Sequence, residues 1–180
     1  MRLALVVFLT GVAAFGQSKQ ERGKQIVDEA LAALGGPKFL AMRDRVESGR
    51  AYSFYREELS GLSIATIYVR YDTPTGPASP DRLLVRERQS FGKAEKSGAV
   101  LFAEGRGYEV TFRGARLLPQ DRYERYESTM LNNIFYILRM RLNEPGLIFE
   151  YQGREIIDNT PAYKVDITDA ENRTVTVYFN

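Results

Sequence analysis

The side chains able to do chemistry in this 180-residue chain are carboxylates, amines, guanidiniums, phenols and hydroxyls, because it contains no His and no Cys. Without them there is no Ser-His-Asp triad, no Cys nucleophile and no imidazole or thiolate metal site. General acid–base work would fall to carboxylate pairs. Glu57-Glu58 and Asp28-Glu29 are adjacent in sequence, so on a strand or a helix the two members of each pair point in different directions. A retaining glycosidase needs two carboxyls about 5 Å apart in a cleft, and this spacing does not specify that. The cations are unusual in kind, 19 of 25 being Arg. Guanidinium forks suit phosphate and carboxylate, which points to a lipid headgroup or an anionic glycan; Arg–Glu pairs on a solvated face account for them equally simply. Gly105-Arg106-Gly107 reads as a hairpin turn, since no helix opens behind it to cradle phosphate. Asn172-Arg173-Thr174 matches the N-glycosylation sequon. No cofactor and no enzymatic activity are expected.

Aromatic side chains carry the remaining signal. Eleven Tyr and ten Phe fall mainly in segments that alternate like strands. They suggest a sheet with one face apolar enough to hold a hydrocarbon chain. The candidate lining is Tyr52, Phe54, Ile64, Tyr68, Leu83 and Val85, facing Ile134, Phe135 and Leu138 from a helix.

The elements that must position these residues follow from periodicity. Ile26, Val27, Ala30, Leu31 and Leu34 draw one apolar stripe and predict a helix over 20–34, with Ser18 and Glu21 at capping-box spacing and Gly35-Gly36 as its stop. From Val46 the period becomes two. Strands are expected over 46–58 and 62–71, joined at Ser60-Gly61, then over 82–88, 98–104 and 108–112. A proline-rich loop over 72–80 and a polar turn over 89–97 separate them. One long helix is expected over 119–142, apolar around most of its second half apart from Asn132, Asn133, Arg139 and Arg141. Strands over 147–157, 162–168 and 173–179 close the chain, the last as a sheet edge beside 162–168. Strands joined by tight turns, with helices inserted, mean an α+β fold built on an antiparallel sheet. The expected form is one curved sheet wrapped around the long helix, in a single domain over 17–180.

Composition and the first residues fix compartment. An apolar fraction of 44% with 27% charged residues is that of a globular domain, and a net charge of +2 is too small to argue for nucleic acid. Arg2 followed by the uncharged run 3–15, with Ala14 and Gly16 as small residues, reads as a signal peptide over 1–16 cleaved before Gln17. A membrane span needs about 20 residues and this run is shorter, so no integral membrane segment is expected after cleavage. With no Cys at the junction, no lipid anchor is expected either. The expected location is periplasmic or secreted.

Several segments together resemble the LolA-like periplasmic lipoprotein carriers, particularly their divergent acidobacterial members. They are Ala32-Ala33-Leu34-Gly35-Gly36, Phe39-Leu40, Val46 and Gly49, then Tyr68-Val69-Arg70 with a proline loop and Asp81-Arg82-Leu83. Gly153, Pro161-Ala162-Tyr163-Lys164-Val165 and Val175-Thr176-Val177-Tyr178-Phe179-Asn180 complete the likeness. It implies an open half-barrel capped by helices, whose cavity takes the acyl chains of a lipoprotein or lipid, with an envelope transport complex as a further partner. It also implies a ligand-contacting role for Arg70, matched to the family's lid arginine across a longer loop, and further strands in the family beyond the last one here. Two other readings stand beside the carrier. One is an envelope binding or scaffold module whose helix fills the cavity; the other is a carboxylate hydrolase acting on glycans.

Overall fold

A computed structural model describes residues 17–73, 83–92 and 98–180. The signal segment expected over 1–16, Arg82 and most of the loops expected over 72–80 and 89–97 lie outside the described residues. The chain opens with α1 (Lys19–Ala33) and the short α2 (Pro37–Ala41). Ser18 caps α1 reciprocally with Glu21, each side chain engaging the other's backbone N–H, at 3.1 and 2.8 Å. Six strands follow as an antiparallel meander: β1 (Asp44–Tyr55), β2 (Glu58–Tyr71), β3 (Val85–Phe91), β4 (Ala99–Ala103), β5 (Arg106–Thr111) and β6 (Gly114–Leu117). Next come α3 (Gln120–Leu131), α4 (Ile134–Tyr136) and a π-helical turn, Ile137–Arg141. A second antiparallel sheet of β7 (Ile148–Ile157), β8 (Thr160–Thr168) and β9 (Thr174–Phe179) ends the chain, β9 at its edge.

The class is α+β, but the strands divide into two sheets of six and three where one was expected. Each sheet has its own helical cover. α3 lays Tyr123, Tyr126 and Met130 on the six-stranded sheet, meeting Val69, Tyr71, Leu83, Val85 and Phe102. α1 instead packs on the second sheet, burying Ile26 and Val27 with Phe149, Val165 and Ile167. The approach is backbone to backbone: a Cβ on Gly23 would stand 2.5 Å from the Phe149 carbonyl oxygen, so only glycine fits there. Met42 touches both cores, and so does the helical segment after α3, which gives Tyr136 to one and Ile137 and Leu138 to the other.

Three local expectations are corrected. The β1–β2 turn is Arg56-Glu57, both left-handed at φ +49° and +66°, not Ser60-Gly61. A two-residue turn of that hand matches the twist of the strands it joins, and the register slip between Ser53 and Phe54 absorbs Ser60 as a bulge. At the β4–β5 turn Glu104 and Gly105 take positive φ, so Arg106 and Gly107 belong to β5, and the short β6 that follows was not legible at all. Finally, the long helix over 119–142 is broken. Asn132 ends α3, and the Asn133 carboxamide oxygen accepts from the Phe135 and Tyr136 N–H groups at 3.0 and 3.2 Å to start α4. An Asn side chain that takes backbone N–H groups competes with the helical ladder, which uncouples helix from helix.

Candidate functional site

Strand register decides where the candidate lining goes. Tyr68 pairs with Val46 and Arg88, and Arg70 with Asp44 and Arg86, whereas Tyr71 pairs with Val85. Opposed residues share a face and neighbours alternate, so Tyr52, Phe54, Ile64, Tyr68 and Arg70 lie on the face away from α3, while Leu83 and Val85 lie under it. The expectation that all six strand residues line one cavity opposite Ile134, Phe135 and Leu138 is therefore corrected. Leu83 and Val85 are packed in the core beneath α3. Phe54 is 67% and Ile64 50% exposed, on the open face.

Ile134, Phe135 and Leu138 do converge, elsewhere. They form one wall of an apolar groove of about 430 Å3 between the C-terminal turn of α1 and the edge strand β9. Ala30, Ala33 and Leu34 supply the opposite wall, and Val177 and Phe179 the floor. The short cap at Asn133 aims this segment: it turns Ile134 and Phe135 toward β9 immediately after α3 has ended. Small alanines on α1 leave the width. Phe135 also carries the Arg45 guanidinium, 4.6 Å from its ring centroid, which fixes one rim. The volume suits an acyl segment or a small amphiphile, being within the ordinary range of ligand pockets.

A second concavity of about 440 Å3 lies on the open face. Val46, Tyr68 and Leu101 floor it, and Asp44, Arg70, Arg86 and Arg88 rim it. Arg70 Nε donates to Asp44 Oδ1 at 2.6 Å, and the Arg70 guanidinium draws the Asp44 carboxyl below its ordinary pKa. Arg86 pairs with Asp72, and Arg88 lies over the Tyr68 ring at 5.8 Å.

Beneath α3 aromatic side chains pack against one another. Phe102 and Tyr126 stack with centroids 3.9 Å apart and planes within 3°. Glu87 is buried there at 6% exposure, its carboxylate accepting one bond, from Gln89 Nε2 at 2.6 Å. Burial pushes its pKa above the usual carboxylate range, with the Gln89 bond opposing. Burial likewise pushes up the Tyr126 phenol, whose hydroxyl has no hydrogen-bond partner.

The charged group that sequence reasoning missed entirely is a clip under the π-helical turn. Arg141 donates to both oxygens of Glu144 at 2.6 and 2.8 Å, to Asp169 Oδ2 at 2.9 Å and to the Leu131 carbonyl at 2.7 Å. Asp169 also takes Arg173 Nε at 2.7 Å and two backbone N–H groups of the β8–β9 turn. Burial would raise the Asp169 carboxyl, but the two arginines outweigh it and hold its pKa at about 2. With every carboxylate oxygen occupied, this cluster ties the helix end to the turn and offers no reactive group. No sequence spacing links residues 28 apart, so only a contact between elements reveals it.

The carboxylate pairs weighed for hydrolysis do not converge. Glu57 and Glu58 sit at the exposed β1–β2 turn, and Asp28 and Glu29 face solvent on α1, engaged by Lys24 and Gln25. Among the described residues no group of three or more acidic side chains could hold a metal ion, and no helix is long and apolar enough to cross a membrane. No family model matches the chain, and no curated protein matches it. A solved structure resembles it, that of a DUF1329 family protein from Desulfovibrio piger, with a TM-score of 0.50 at 9% identity, over 89% of this chain and 68% of that one. At such identity the likeness bears on the fold alone.

Proposed function

We propose that the protein is an exported, non-catalytic carrier or binder of acylated, lipid-like ligands in the cell envelope. The observation that carries this reading is the apolar groove between α1, α4 and β9, where three of the residues singled out for ligand contact meet. In this reading the acyl chain lies against Ile134, Phe135 and Leu138, and not beneath α3, where Phe102 and Tyr126 stack. The six-stranded meander with its helical cover is read as an open half-barrel of the lipoprotein-carrier kind. Support for that comes from the strand order and from the sequence resemblance to the LolA-like carriers. Acyl chains of lipoprotein or lipid are the ligands, an envelope transport complex the delivery partner, and no cofactor takes part.

Native mass spectrometry of protein purified from a membrane-containing lysate tests this. Adducts of lipid mass are expected, and they should disappear in Ala33→Trp, which fills the groove from an exposed position on α1. Bare mass in repeated preparations would sink the carrier reading. It would favour the second one, an envelope scaffold module without a free cavity, for which the packed interior beneath α3 speaks.

A further inference from the structure

The open face of the six-stranded sheet is chemically one-sided. Register places Arg50, Arg70, Arg86, Arg88 and Arg106 on it, with Asp44 as the lone acid among the described strand residues of that face. The four glutamates of these strands, Glu47, Glu58, Glu87 and Glu109, all lie on the other face. Between the arginines stand large apolar side chains that nothing covers: Val46, Tyr52, Phe54, Leu59, Leu62 and Ile64 are each at least half exposed. A monomeric soluble protein seldom shows so continuous an apolar strip.

We propose that this face docks on the surface of a lipid bilayer carrying anionic headgroups. Among the described residues of this face, five arginines stand against two acids, Asp44 and the neighbouring Asp72, an excess of basic side chains. Anionic headgroups complement that excess, and the apolar strip between the cations suits the headgroup–acyl boundary. A second copy of the chain fits poorly, because a two-fold contact would set arginine against arginine. The inference does not rest on ligand binding in the groove, which lies on different elements.

Vesicle co-sedimentation of the purified chain decides it, comparing phosphatidylcholine vesicles with vesicles also containing phosphatidylglycerol. Binding is expected only to the second kind and should fall as salt rises. Arg50→Gln and Arg106→Gln should each weaken it about fivefold, near what one cation contributes at an anionic surface. Both residues are exposed, so the fold should survive, as circular dichroism can verify. Ile64→Ser should also weaken binding, while Lys38→Gln on α2 and the groove-filling Ala33→Trp should leave it unchanged. Equal binding to both vesicles, binding to neither, or an equal loss in Lys38→Gln would overturn the proposal. So would a stable dimer that Ile64→Ser dissociates, since a second copy would then be the occupant.

Discussion

Glu87 shows how a single side chain can be at odds with its surroundings. Its carboxylate is buried beneath α3 beside the unpartnered Tyr126 hydroxyl, and its folded pKa is raised. A raised carboxylate pKa means the ionised form costs the fold stability, a cost present above that pKa and removed as pH falls through it. Glu87→Gln keeps an acceptor for Gln89 and removes the charge. It should raise the Tm at pH 7, with the gain over the parent shrinking as pH falls through Glu87's raised pKa in thermal melts across that range. Asp169 has the opposite sign. Its folded pKa of about 2 lies below the ordinary value near 4, so its contribution is complete above pH ~4 and lost as pH falls toward about 2. Asp169→Asn strands Arg141 and Arg173 with less compensation and should cost about 3–5 kcal/mol in urea unfolding at neutral pH. A cost under ~1 kcal/mol would mean that Glu144 alone neutralises the buried Arg141.

At the scale of elements, close approach and protrusion are the decisive features. Because α1 rests its backbone on β7 at Gly23, Gly23→Ala must push helix and strand apart. A loss of about 1–3 kcal/mol is expected, as for overpacked cores, although alanine is the better helix former. The β1–β2 hairpin behaves differently along its length. Residues 65–71 of β2 pair with β3, but the distal stretch from Tyr52 to Leu62 pairs only within the hairpin. A two-stranded ribbon is marginal in water by itself. Amide exchange should therefore be much faster in this distal stretch than at Val69 or Tyr71, and it should slow when vesicles cover the face.

For the whole molecule the question is whether two sheets make one cooperative unit. Met42 and the segment from Tyr136 to Leu138 belong to both cores, so neither sheet can lose its cover without disturbing the other. Ile137→Ala deletes a buried side chain at this joint and should cost about 2–5 kcal/mol. Unfolding followed by far-UV circular dichroism and by Tyr fluorescence should still coincide in a single transition. Two separated transitions would show that each sheet and its helices fold independently.

The residues by themselves determined much of this. Periodicity marked α1 with its Ser18–Glu21 cap, and alternation marked eight of the nine strands among the described residues, because burial on one side imposes periods of 3.6 and two. Missing His and Cys ruled out whole classes of chemistry before any folding was considered. Sheet membership was decided only in three dimensions. The same alternation fits one sheet or two, and β6, four residues long, carries too few repeats to register. Which face each strand shows to α3 was also a tertiary matter. The spacing between Tyr68 and Val85 spans a loop whose length sets their relative parity, so side-chain pattern alone could not place them on opposite faces. The groove and the Arg141–Asp169 clip lie further from sequence still. Both join residues from elements that only packing brings together, where burial and charge compensation, not local preference, select the contacts.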